Sequence, residues 1–124
     1  MKKFYYVFAA VIATSVTAHE LTPTYPKLRS SYIEGVSVTD MKMWNRRNDV
    51  KYYEINVFDK EWNPVPFATQ QRLLKLEYLS HKSFEIYIRD QDIKRAEYIC
   101  TTSKQLKEDV SSSGVKSKIC SRIK

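Results

Sequence analysis

Apolar and polar residues alternate with a period of two along most of this chain, and that period belongs to strands rather than helices. Tyr53, Ile55 and Val57 alternate with Glu54 and Asn56. Leu74, Leu76 and Tyr78 alternate with Lys75 and Glu77, and Phe84, Ile86 and Ile88 with Glu85 and Tyr87. Val36 and Val38 give way to Met41 and Met43, so the phase changes near Asp40 and a bulge or strand crossing is expected there. Each run puts its apolar set on one face and wets the other, as in an antiparallel sheet laid on a core.

Turn-forming residues separate the runs: Glu34-Gly35, Arg46 to Asp49, Asn63-Pro64, Ser80 to Ser83, Arg89 to Asp92 and Ser111 to Gly114. The interval from Leu79 to Phe84 has the length of a hairpin loop, which predicts that the flanking strands pair. Gln71 to Leu79 reads as a strand. Ser103 to Val110 is polar and reads as a loop or one helical turn. Residues 19–27 carry Pro23 and Pro26 and read as an extended, loosely held arm. Six or seven short strands in about one hundred residues predict an all-β fold, a single antiparallel β-sandwich over 28–124.

The first residues change the picture of where this domain works. Lys2 and Lys3 precede the apolar run Phe4 to Ile12, and Val16-Thr17-Ala18 is a small-residue cleavage site. A signal peptide over 1–18 is expected, leaving His19 as the first mature residue. The run is short for a bilayer, and no later stretch is longer, so no membrane span is expected in the mature form; a retained anchor is the alternative. The short, Lys-Lys-led signal looks bacterial and implies a periplasmic product. The 21 basic and 14 acidic residues give a net charge of +7, or +5 once Lys2 and Lys3 are removed. Outside Arg46-Arg47 and the last nine residues the charges alternate instead of forming a block, which argues against nucleic acid. Cys100 and Cys120 are the only cysteines, and export predicts that they form one disulfide.

Candidate chemistry is sparse. The chain has no Gly-rich phosphate loop, no metal-spaced ligand set and no nucleophile motif around Ser111 to Ser113, so neither an enzyme nor a cofactor is expected. Asp90 and Asp92 read as turn residues. After cleavage His19 would join a free amine to an imidazole, a copper-binding arrangement that needs a further ligand. His81, the only other histidine, lies in a predicted turn. Trp44 is expected in the core. Trp62, beside Asn63-Pro64, suits a core or an exposed binding face equally.

Taken in order, the segments from Arg29 to about Ile123 resemble the N-terminal domain of the periplasmic pilus-assembly chaperones, the PapD-like group. Arg29-Ser30-Ser31-Tyr32 with Gly35 is similar to that family's first strand and turn, and Val36 to Asn45 to its second strand, which ends at an asparagine. Tyr52 to Asp59 is similar to the third strand, followed by the extension Lys60-Glu61-Trp62-Asn63-Pro64. Phe67 to Leu76 resembles the stretch where an apolar residue leads into Arg-Leu, and Lys118 to Arg122 is placed like the final strand. The resemblance implies an immunoglobulin-like sandwich that lends an edge strand to a protein partner, a pilin-like or secreted subunit. It also implies that Arg29 and Lys118 anchor the partner's terminal carboxylate. The family's second domain has no counterpart up to Lys124, and a bridge between the last two strands is not expected in its first domain. The function implied is a small periplasmic chaperone-like protein that assists assembly of a pilus or other exported structure. The alternative is a small structural or accessory subunit of such an assembly.

Overall fold

The computed structural model describes residues 19–105 and 116–123. The expected signal peptide, the Ser111–Gly114 turn and residues 106–110 of the polar segment lie outside the described residues. In chain order the elements are β1 (Glu20–Thr22), β2 (Arg29–Ser30), β3 (Val36–Trp44), β4 (Tyr52–Phe58) and β5 (Leu73–Lys75), then β6 (His81–Arg89), a 3-10 turn (Asp90–Asp92), β7 (Tyr98–Lys104) and β8 (Lys118–Arg122). They form two antiparallel sheets, an immunoglobulin-like sandwich as expected. In the first sheet β3 is central: β6 pairs with its whole length on one edge, and β2 and β1 share the other. The second sheet runs β5-β4-β7-β8.

The period-two pattern builds the core. Tyr53, Ile55 and Val57 of β4 face Met41 and Met43 of β3 and Phe84, Ile86 and Ile88 of β6, with Leu74, Leu76 and Ile99 filling between the sheets. Burying each of these large side chains contributes roughly 1.5–3 kcal/mol.

The structure departs from six expectations. β3 has no bulge against β6; its register runs unbroken from Val36 opposite Arg89 to Trp44 opposite His81. Ser37, Thr39, Met41 and Met43 all point inward, so the apparent phase change arises because two inward residues are polar. Ser37 is satisfied there by Asp90, to which its hydroxyl donates at 2.7 Å. What changes near Asp40 is the neighbouring strand: β2 lies opposite Ser37 and Val38, and β1 opposite Lys42 to Trp44.

The hairpin between the 71–79 run and the 84–88 run does not form. β5 pairs with β4, β6 pairs with β3, and the chain crosses from one sheet to the other between them. Only Leu73–Lys75 is strand, and Tyr78 and Leu79 are exposed. The 19–27 arm is held, not loose: β1 pairs with β3, and His19 and Leu21 are buried. Ser103 and Lys104 extend β7 instead of opening a loop. Trp44 stands on the outer face of its sheet, against the His81 ring at 4.4 Å and under the Lys42 ammonium at 4.9 Å.

Cys100 and Cys120 are directly opposite in the β7–β8 ladder and form the expected disulfide. Replacing both with serine is expected to remove about 3 kcal/mol of stability. Urea unfolding of the oxidised protein and the double variant measures this; a difference under about 1 kcal/mol would show that the ladder holds β8 without the bridge.

Candidate functional site

β8 is an edge strand, and among the described residues it pairs with β7 alone. The Arg122 N–H turns away from β7 to donate to the Thr24 carbonyl (2.9 Å), while the Ile123 N–H reaches the Glu97 carbonyl (2.8 Å) that leads into β7. At the other end the Ser117 carbonyl accepts from the Ser103 N–H, again toward β7. Strand main-chain groups alternate in direction, so those of Lys118 and Cys120 face the free edge. The Cys100–Cys120 Cα separation of 4.1 Å agrees, because it is the close spacing of a non-hydrogen-bonded pair. Among the described residues, then, two N–H and two C=O groups in a row point outward from this edge without a partner strand.

Beside this edge the outer face of the sheet carries an aromatic platform. Trp62 stacks on Tyr98 with centroids 4.4 Å apart and planes 3° from parallel, and Phe58 lies 5.9 Å from Trp62. The Lys118 ammonium sits over both Phe58 (4.5 Å) and Trp62 (4.6 Å). Lys118 lies opposite Thr102, and Phe58 opposite Tyr98, so its side chain passes across the row that holds the disulfide. This cover explains why Cys100, on the outer face, is fully buried. Trp62 is 48% exposed and holds a positive φ of 67°, a conformation that costs a non-glycine residue about 1–2 kcal/mol. The turn that imposes it is built on Asp59, whose carboxylate accepts from the Glu61 and Asn63 N–H groups and is held below its ordinary pKa by them.

Edge and platform lie side by side on the same sheet, and the fold has a known counterpart. The chain is similar in fold to the E. coli chaperone DraB. The TM-score to that crystal structure is 0.60 at 15% sequence identity, over 86% of this chain and 53% of that one, so this chain spans about half the length of DraB. No protein-family model matches the chain, and no curated protein matches it. The likeness to DraB is one of fold.

On the inner side of the edge, His19 fills the seam between β1 and β8. Its ring is 1% exposed and tilted against Tyr53 at 4.6 Å. Nε2 donates to the Thr101 carbonyl (3.1 Å) and lies 2.7 Å from the Thr101 hydroxyl, while Nδ1 accepts from the Ser117 hydroxyl at 3.0 Å. This network assigns the neutral tautomer with the proton on Nε2. Burial pushes the imidazole down to about 4, against the opposing effect of the Thr101 carbonyl and with the Arg47 guanidinium adding to the shift. The copper arrangement considered for His19 meets a ring whose two nitrogens already have protein partners, and His81 lies tilted against Trp44 on the outer face of the other sheet.

The two cations expected to anchor a carboxylate have different surroundings. Arg29, on β2 of the first sheet, pairs with Asp40 at 2.9 Å, both exposed. Lys118 is on the edge strand of the second sheet, over its aromatic rings. Arg29 lines a shallow depression with Ile123, at the opposite end of β8 from Lys118. Sequence reasoning overlooked Tyr98 and the burial of His19. The signal for the platform was present in Trp62 next to a turn, but its partner lies 36 positions along the chain.

Proposed function

We propose that this chain is a chaperone-like binding protein that holds an extended segment of a protein partner along the free edge of β8, and that it works in the periplasm on a pilin-like or other exported subunit. The observation that carries this is the outward main chain of Lys118 and Cys120, without a partner strand among the described residues, on a strand fixed to β7 by ladder and disulfide. A preformed edge of this kind loses little entropy when a strand is added, and main-chain hydrogen bonds supply affinity independent of sequence. The fold likeness to a chaperone supports the same reading. The anchor expected at Arg29 and Lys118 enters it through Lys118, which lies on the edge; Arg29 is tested separately.

The test is capture of partners from periplasm by the oxidised protein, with mass spectrometry to identify them and hydrogen exchange to locate them. A secreted partner that slows exchange at the Lys118 and Cys120 amides is the expected result. Lys118→Ala should weaken capture, and Arg29→Ala shows whether the second cation takes part. Protection elsewhere on the chain, with β8 still exchanging freely, would overturn the edge. A partner that never dissociates and is recovered with this chain in a finished surface assembly would make it a structural subunit instead.

A further inference from the structure

The β8 edge carries a charge pattern that narrows what it accepts. From Val115 to Lys124 the chain has four cations and no acid, and all four stand at even positions: Lys116, Lys118, Arg122 and Lys124, the last outside the described residues. Lys118 is on the outer face with Phe58 and Trp62, and Arg122 is on the same face, opposite Tyr98. Lys116 is exposed two residues earlier. Arg122 is already engaged, its guanidinium with Glu97 at 2.8 Å and its N–H with the Thr24 carbonyl, so the open stretch of the edge ends before it. On the other face of β8, Ile119 and Ile123 are partly buried against the core.

A strand added to this edge places the Cβ atoms of its outer residues about 4.5–5.5 Å from those of the residues opposite. That is within reach of the long, exposed Lys116 and Lys118 side chains, Lys118 leaving its rings to meet an acid; opposite charges attract there and like charges repel. A second copy of β8 would align cation with cation, so the row also suppresses self-association of the edge. We propose that the β8 edge selects an extended protein segment in which acidic residues alternate with aliphatic ones, the acids lying against Lys116 and Lys118 and the aliphatics continuing the face of Ile119. This rests on the edge reading above and adds the chemistry of the partner.

The probes are three short synthetic peptides in which valine alternates with glutamate, glutamine or lysine, titrated into the oxidised protein by calorimetry with exchange at the Lys118 and Cys120 amides followed in parallel. Two exposed ion pairs should favour the glutamate peptide over the glutamine peptide by about fivefold at low salt, fading in about 0.5 M salt. The lysine peptide should bind most weakly. Lys116→Glu with Lys118→Glu should invert the order, and an unchanged melting curve checks that this exposed pair leaves the fold intact. Equal binding of the glutamate and glutamine peptides, with both amides protected, would overturn charge selection and leave the edge reading standing. Protection of neither amide by any peptide would overturn the edge reading and the selection with it.

Discussion

Replacing Asn45 with alanine should remove about 4 kcal/mol of stability and lower the melting temperature by roughly 20 °C. Asn45 is fully buried at the end of β3. Its Nδ2 donates to the Val50 carbonyl (2.8 Å) and the Leu76 carbonyl (2.9 Å). Its Oδ1 accepts from the Arg47 N–H (2.9 Å) and the Tyr53 hydroxyl (2.6 Å). Its backbone bonds Ser80 and Leu79. One side chain thus joins the turn after β3, the crossing from β5 to β6 and a core tyrosine of the opposite sheet. Alanine would leave two carbonyls, an amide and a phenol buried without partners, and each such group costs roughly 1–3 kcal/mol before the structure relaxes. Burial lifts the Tyr53 phenol to about 12, so it remains a donor through neutral pH. Tyr53→Phe should cost about 1.5 kcal/mol alone and much less in the Asn45→Ala background, because the two share a bond. A loss under about 1 kcal/mol for Asn45→Ala, by thermal and urea unfolding, would mean that water replaces the asparagine.

The second large effect is on pH dependence. The His19 imidazole sits at about 4 in the folded chain and at 6.5 when freely exposed, so between those values the unfolded state binds the extra proton. Stability must then rise with pH across this window and fall as pH drops through it. The full shift corresponds to about 3 kcal/mol, present above pH 6.5 and lost by about pH 4. Glu54, held below its ordinary value first by the Asn56 amide and then by Lys104, acts with the same sign, but its contribution is lost below about pH 4.5. His19→Gln should therefore flatten the slope between pH 6.5 and 4.5 and leave the acid limb beneath it. Urea midpoints measured across that range for both proteins decide the matter. Parallel curves would show that His19 is protonated without leaving the seam. If the slope does belong to His19, acidification loosens β1 and the inner side of the β8 edge first, because the ring bonds Thr101 and Ser117 there.

The sandwich was legible because a strand with one buried face must alternate, and β4 and β6 do so without interruption. The disulfide followed from two cysteines in a chain whose first residues led us to expect export. The resemblance to pilus-assembly chaperones agreed in fold with the likeness to DraB, and the asparagine said to end the second strand is the residue at the centre of the buried network. Less of the site was visible. Alternation names the faces of a strand, but not its neighbours. Thus the runs before and after Ser80 look like a hairpin until Asn45 and Lys51, which accepts from the Leu76 N–H, are seen to hold the crossing. His19 looked like a free terminus because nothing local marks burial; its partners Thr101 and Ser117 are more than 80 positions away.

The sequence by itself determined the faces of β4 and β6, the apolar residues they bury, the bridge and the cations at even positions near the C-terminal end. These are fixed by spacing along a single strand, where geometry repeats every two residues. The tertiary structure decided which edge stays open, which aromatics meet over Lys118, and whether a polar residue is buried or wet. Those outcomes depend on contacts between segments far apart in the chain, and no local pattern encodes them.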